Sequence, residues 1–306
     1  MADEVWGINA EQQIYYWTGT TWTHIAGALV TIAVNGGQVW GLNAAHEIYR
    51  WTGSGWTQIA GALVTIAVGS DGEVWGINGS QEIYKWSGTT WTHIAGALVS
   101  IAVNGGQVWG LNAAHEIYRW TGTTWTQIAG ALVSIAVGSD GEVWGINGSQ
   151  EIYKWSGTTW TQIAGALVSI AVNGGQVWGL NAAHEIYRWT GSSWTQIAGA
   201  LVTIAVGSDG QVWGINSSQE IYKWSGTTWT HIAGALVTIA IGEGGTVAPP
   251  FDNAPPFDNA PPFDNAPPFD NAPPFDDAPP FDDAPSFDDA PSFDDGDIRP
   301  ATKRPK

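Results

Sequence analysis

The chain has 306 residues, 28 acidic against 10 basic side chains for a formal charge of −18, and no cysteine. The missing thiols exclude a disulfide framework and a thiolate metal site, and the acidity leaves no basic stripe for a phosphate backbone, so nucleic acid is set aside as a partner. No apolar run reaches the ~18 residues of a membrane span, and the opening "MADEVWGINAEQ" has no apolar signal-peptide core, so a cytoplasmic protein is expected, with release by a non-classical route left open.

From Val5 the sequence repeats. Units begin at Val5, Val39, Val74, Val108, Val143, Val177 and Val212, with steps that alternate between 34 and 35 residues. The extra residue lies in a Gly-rich turn, "VNGGQV" in the short unit and "VGSDGEV" in the long one, and loops are where length variation is tolerated. Within the unit at Val74, "EVWGIN", "EIYKW", "TWTHIAG" and "LVSIAV" are each a short, alternating or β-branched run bounded by Gly, Asn, Ser or Asp. No window sustains a 3.6-residue period, so helical solenoids fail and four short antiparallel strands per unit remain. Seven such units predict an all-β fold, a seven-bladed β-propeller of four-stranded blades. If "LVxIAV" is the innermost strand, the first blade lacks its own. Leu236 to Ile241 then completes the sheet begun by Val5 to Gly27, and the two ends of the domain, residues 1–247, share a blade.

After this domain the period falls to six. Residues 248–306 carry eight hexads of the "APPFDN" and "APSFDD" kind, a composition that predicts a disordered or polyproline tail. The tail is either a self-repelling spacer or a ligand offering spaced Phe-Asp pairs to a protein partner.

The run from Trp56 to Trp86, W-x-x-I-x-G-x-L-x-x-I-x-V-G-x-x-G-x-V-W-G-x-N-x-x-x-x-I-Y-x-W, closely resembles the tectonin repeat of slime-mould, fungal and animal propeller lectins. The resemblance covers residues 5–247. Two features depart from it: familiar tectonin lectins mostly have six blades, and the usual Pro of the "IPG" turn is Ala60 or Ala95 here. The resemblance implies binding to surface glycans, with O-methylated sugars or lipopolysaccharide as ligands and innate defence as the setting.

Candidate sugar-binding positions recur in each unit. Trp6, Trp40, Trp75, Trp109, Trp144, Trp178 and Trp213 precede a glycine, which permits close approach of a backbone or ligand; of the three tryptophans per unit, this one is expected to meet sugar and the others to pack between blades. The six basic residues of the domain, Arg50, Lys85, Arg119, Lys154, Arg188 and Lys223, share one position, where the first unit has Tyr16. They read either as donors to sugar hydroxyls or as ion pairs with Glu73 and its equivalents. Tyr49, Tyr84, Tyr118, Tyr153, Tyr187 and Tyr222 flank them, and Asn9, Asn43, Asn78, Asn112, Asn147, Asn181 and Asn216 end the preceding strand, where they either cap a turn or bind ligand. His46, His115 and His184 recur every 69 residues with no second ligand nearby, so no metal is expected. Near-identical units also leave no residue unique enough for an active site, so a binding protein without cofactor is expected rather than an enzyme. A protein-interaction scaffold, or a recently amplified or designed propeller without a selected ligand, is the rival reading.

Overall fold

In the computed structural model the described residues are 3–244; the hexad tail lies outside them. They hold 28 strands and no helix, arranged as seven four-stranded antiparallel sheets. Blade 1 combines β1 (Asp3–Ile8), β2 (Gln13–Trp17) and β3 (Trp22–Ala28) with the final strand, Thr238–Glu243, which pairs with β1 from Asp3↔Glu243 to Ile8↔Thr238. Blade 2 is β4 (Thr31–Asn35), β5 (Gln38–Leu42), β6 (Glu47–Trp51) and β7 (Trp56–Ala62), in that order from the axis outward. Blades 3 to 7 repeat it over residues 65–97, 100–131, 134–166, 169–200 and 203–235. The innermost strands neighbour one another in a closed circle, with the final strand beside β4, so the propeller and its shared closing blade follow the sequence reading. Closure leaves no unpaired inner edge.

The alternating unit length has a steric cause. In short units Asn35 pairs with Gln38 around Gly36 (φ 52°) and Gly37 (φ 73°), a two-residue turn whose positive φ at both centres suits glycine. In long units the loop Ser70-Asp71-Gly72 is closed by Gly69 N–H donating to the Glu73 carbonyl (2.8 Å), with Gly72 at φ 80°. Neighbouring turns interleave: a Cβ on Gly36 would lie 2.5 Å from the Gly72 nitrogen. Six turns alternate in this way, and the seventh place holds the two chain ends instead. An odd ring therefore has no pair of like turns side by side. The Asp3 carboxylate closes that place, accepting from Ser208 Oγ (2.7 Å) and Asp209 N–H (3.0 Å).

Three buried asparagines tie the same end of the axis together. Asn35 Nδ2 donates to Asn104 Oδ1 (3.2 Å) and Asn104 Nδ2 to Asn173 Oδ1 (3.4 Å). Their Oδ1 atoms also accept from the backbones of Glu243, Ser70 and Ser139, residues of the blades in between. In sequence these were only turn residues.

The core lies between blades, and tryptophan builds it. Trp6 packs edge-on against Trp51 (5.5 Å) and Trp56 (6.0 Å) of the next blade; Trp75 does the same to Trp120 and Trp125, and Trp213 to Trp17 and Trp22 across the closing junction. All 21 tryptophans thus form one triad at each of seven junctions. Such tilted pairs add ~0.5–1.5 kcal/mol each beyond their burial. The glycine after each of these strand tryptophans admits a leucine: a Cβ on Gly76 would sit 2.3 Å from Leu63 Cδ1, and Leu63 is 2% exposed. Gly76→Ala should therefore cost about 1–3 kcal/mol as an overpacked core position, read as a lowered urea midpoint. A midpoint equal to wild type would mean the leucine side chain yields freely.

Candidate functional site

Alternation along a strand decides which groove each candidate faces. In blade 4, Arg119 pairs with Trp109 across the sheet, and both lie on the face toward blade 5. Tyr118 and Trp120 lie on the other face, in the cluster around Trp75 of blade 3. The residues expected to form one site per blade therefore divide between two junctions. Each junction receives a buried tryptophan from one blade, with a cation over it in six of the seven, and a tyrosine and two half-buried tryptophans from the next.

The strand tryptophans are a correction. Trp6, Trp40, Trp75, Trp109, Trp144, Trp178 and Trp213 are all 0% exposed. Their rings are covered by the two tryptophans of the next blade, and in six of the seven by a cation, so no face is left for a sugar. The ring that reaches the groove is instead the last residue of the third strand, Trp120 or Trp189. Sequence reasoning passed over it because it is contributed by the blade opposite the cation. The signal was present in the strict alternation of "EIYRW", which puts Trp on the face away from Arg.

The cations lie over the buried indoles. Arg50, Arg119 and Arg188 stand 5.6 Å from the ring centroids of Trp40, Trp109 and Trp178; Lys85, Lys154 and Lys223 stand 5.2 Å from Trp75, Trp144 and Trp213. Lys85 also pairs with Glu73 and Lys154 with Glu142. Those carboxylates in turn accept from the indole N–H of Trp75 and Trp144 (both 3.2 Å). Tyr16 replaces the cation in blade 1 and packs edge-on against Trp6 at 5.1 Å.

The asparagines are turn-formers. Asn43 Oδ1 accepts from Ala45 N–H (3.0 Å) and Glu47 N–H (2.9 Å), and its Nδ2 donates to Glu47 Oε2 (2.5 Å). Asn78, Asn112, Asn147, Asn181 and Asn216 repeat the pattern, and Asn9 does so with Gln13. These bonds hold a tight hairpin in which His46, His115 and His184 take φ near 65°. The tyrosine hydroxyls belong to the same network: Tyr49 donates to Glu47 Oε2 (3.1 Å), while Gln58 Nε2 reaches Glu47 Oε1 (3.0 Å). Tyr84, Tyr118, Tyr153, Tyr187 and Tyr222 donate to the equivalent glutamates. In blade 6 these hydrogen bonds, chiefly those from Asn181 and Tyr187, hold the Glu185 carboxyl below its usual range.

What remains open is a groove between blades. Between blades 3 and 4 it encloses about 570 Å³, lined by Asp71, Glu73 and Lys85 on one side and Arg119, Trp120, Thr121 and Thr126 on the other. Between blades 5 and 6 a groove of about 570 Å³ is lined by Glu142, Lys154, Arg188, Trp189, Thr190 and Thr195, the same positions one double unit later. Each offers an indole, a Lys–Glu pair, an arginine and two hydroxyls. Among the described residues no group of three or more His, Asp or Glu could hold a metal ion.

The sequence matches the tectonin domain over residues 28–106, 98–175 and 167–249. The chain belongs to the tectonin family. No curated protein matches this tectonin sequence. Among solved structures it is similar to human WBSCR16, with a TM-score of 0.62 and 8% identity over 79% of this chain and 98% of that one. It is also similar to Prp20p from Saccharomyces cerevisiae (TM-score 0.61, 11% identity, 76% of this chain and 86% of that one) and to the WD40 β-propeller domain of Doa1 (0.52, 12%, 75% and 88%). At such identities the likeness is one of fold.

Several tyrosines of this tectonin are held above the ordinary phenol value, Tyr49 among them. Burial, together with the hydrogen bond to the Glu47 carboxylate and its charge, pushes the Tyr49 phenol up to about 12. A raised folded-state value means the native chain holds that proton longer than the unfolded one. Its contribution to stability is complete below the unfolded value and is lost as pH climbs through the folded one. An alkaline near-ultraviolet titration should show a phenol ionising near pH 12, and Glu47→Gln should bring it down; an unchanged titration would leave Glu47 without that role.

Proposed function

We propose that this chain is a multivalent carbohydrate-binding lectin whose sugars lie in the grooves between blades. Membership of the tectonin family supports the class of ligand. The observation that carries the location is the repeated cavity of about 570 Å³, built twice from equivalent positions with a tryptophan, hydroxyls and a Lys–Glu pair. A sugar ring laid in such a groove buries its C–H face on indole and meets charged donors and acceptors with its hydroxyls. One such site is weak, since a millimolar contact is worth only about −4 kcal/mol. Several sites facing a surface of repeated glycans gain avidity without new contacts. O-methylated sugars are the ligands in this reading, the methyl group adding apolar surface against the ring, with lipopolysaccharide as a natural surface that presents repeated saccharides.

A glycan array followed by calorimetry on the full chain tests this. Binding with more than one equivalent of O-methylated monosaccharide per chain, weakened at least about tenfold by Lys85→Gln with Lys154→Gln, is expected, the loss of a charge-assisted hydrogen bond. A folded protein that binds no glycan would overturn the reading.

A further inference from the structure

Apolar side chains scattered singly over a surface are ordinary, but here they are placed by rule. Among the described residues the exposed large apolar side chains are seven valines, one per blade from Val30 to Val237, each 40–46% exposed. Each stands just before an innermost strand and donates its backbone N–H to the carbonyl that ends the adjacent second strand, as Val64 does to Ile77 (2.8 Å). The side chain then lies beside the hairpin that follows: Val64 Cγ1 is 4.0 Å from a Cβ built on Gly79, and Val133 Cγ1 is 3.9 Å from one on Gly148. The valines therefore ring one end of the axis, with the Asn-capped hairpins outside them.

The grooves lie at the other end. The inner strand of blade 3, Thr65–Val68, runs away from Val64 towards the turn at 69–73, and Asp71 and Glu73 of that turn line the groove. Among the described residues that end has no exposed large apolar side chain, and it carries Asp71, Asp140 and Asp209. Head-to-tail stacking would set valines on carboxylates. The surface whose chemistry matches a valine ring is a second valine ring. At this exposure the seven side chains amount to on the order of 400 Å² per copy, the size at which an apolar patch marks an interaction surface. Two rings face to face cover about 800 Å² over the valines alone, and the exposed Ala44, Ala45, Gly79, Ser80 and their equivalents extend the contact towards the ~1,200 Å² of a small stable interface.

We propose that the chain pairs with a second copy of itself through the valine face, as an isologous two-fold dimer. The hairpins fix which blade meets which. Blades 2, 4 and 6 carry Ala-Ala-His at the tip, as in Ala44, Ala45 and His46. Blades 3 and 5 carry Gly-Ser-Gln, blade 7 Ser-Ser-Gln and blade 1 Ala-Glu-Gln. A two-fold axis through blade 1 sets blade 2 on 7, 3 on 6 and 4 on 5, so every Ala-Ala-His tip meets a Gly-Ser-Gln or Ser-Ser-Gln tip. No other two-fold does so. This pairing puts alanine against glycine or serine and keeps the imidazoles of the two copies apart. Blade 1 meets its own copy, which brings two exposed Glu11 carboxylates together, a like-charge contact that salt screens. The pairing does not depend on the glycan reading. Where both hold, the grooves of the two copies face outward in opposite directions, and one dimer joins two glycan surfaces.

Sedimentation equilibrium of the full chain should show a monomer–dimer equilibrium at micromolar concentration that tightens as salt rises. The triple variant Val64→Lys, Val133→Lys, Val202→Lys sets charge in an apolar contact and should raise the dissociation constant at least about a hundredfold. Should that variant not fold, Val→Thr at the same three positions keeps the shape and should weaken pairing about tenfold. The chain has no cysteine, so introduced ones report cleanly. With a short bis-maleimide, Ala10→Cys should cross-link to its own copy, whereas Ala44→Cys should cross-link only when mixed with Ser217→Cys. A chain that stays monomeric at every concentration, whether its valine face is bare or covered by another segment, overturns the proposal, as does a dimer that the folded valine variants leave intact. Cross-linking of Ala44→Cys to itself overturns the blade pairing.

Discussion

Trp75→Ala is expected to destabilise the propeller by about 3–5 kcal/mol, the range for removing a large buried aromatic side chain. Trp75 is 0% exposed and joins two blades: it meets Trp120 at 5.5 Å and Trp125 at 6.0 Å across the junction and carries Lys85 over its ring at 5.2 Å. Its indole N–H is also bonded to Glu73. Truncation opens a cavity at the seam, removes two tilted ring contacts, and leaves the Lys85–Glu73 pair without its platform. Because blades contact only their neighbours, the loss should act on one junction and appear as a broader, earlier unfolding transition. Val64→Thr is the matched control: Val64 is 42% exposed, and a surface change of this kind should stay within ±0.5 kcal/mol. Urea unfolding followed by tryptophan fluorescence reads both. A Trp75→Ala loss no larger than the control's would mean that the triads are not the principal core.

The fold was legible because its cause is local and repeated. Period-2 runs bounded by glycine specify strands, and a seven-fold repeat specifies a ring; even the shared closing blade follows from where "LVxIAV" falls in the unit. The site was less legible because a groove is made by two blades. Arg119 and Trp120 are adjacent in sequence yet their side chains pack on tryptophans of different junctions, Trp109 and Trp75, and nothing in a single unit says which neighbour each one meets. The strand tryptophan beside glycine looked accessible by the same logic. In the structure the space that glycine leaves is taken by Leu63 rather than by a ligand. The asparagines were read with both alternatives open, and their hydrogen bonds to Glu47 and its equivalents assign them to the turn. The buried Asn35–Asn104–Asn173 chain was invisible as a cluster, since its members are 69 residues apart and meet only when the ring closes.

Closure is where a single methyl group should do most damage. A Cβ on Gly242 would lie 1.9 Å from the Val34 carbonyl oxygen and 2.5 Å from its carbon. Both are backbone atoms of β4, which cannot move without breaking its own ladder. Gly242→Val should therefore push the final strand off its neighbour and cost on the order of 4 kcal/mol, the scale reserved for losses of this kind. Gly55→Ala, with nothing within 4 Å of the added atom and no positive φ, should be near neutral. The consequence for assembly follows from the repeats. With the final strand displaced, β1 of blade 1 presents an unpaired edge, and a second copy carries the same inner-strand sequence six more times with only Ser/Thr and Val/Ile changes, as in "LVTIAV" at 201–206. Exchange of strands between copies then restores the pairing at no cost in side-chain fit. Size-exclusion chromatography of Gly242→Val should show species larger than any that the Gly55→Ala chain forms. A Gly242→Val chain with no such species and an unchanged unfolding midpoint would show that the final strand does not hold the ring shut.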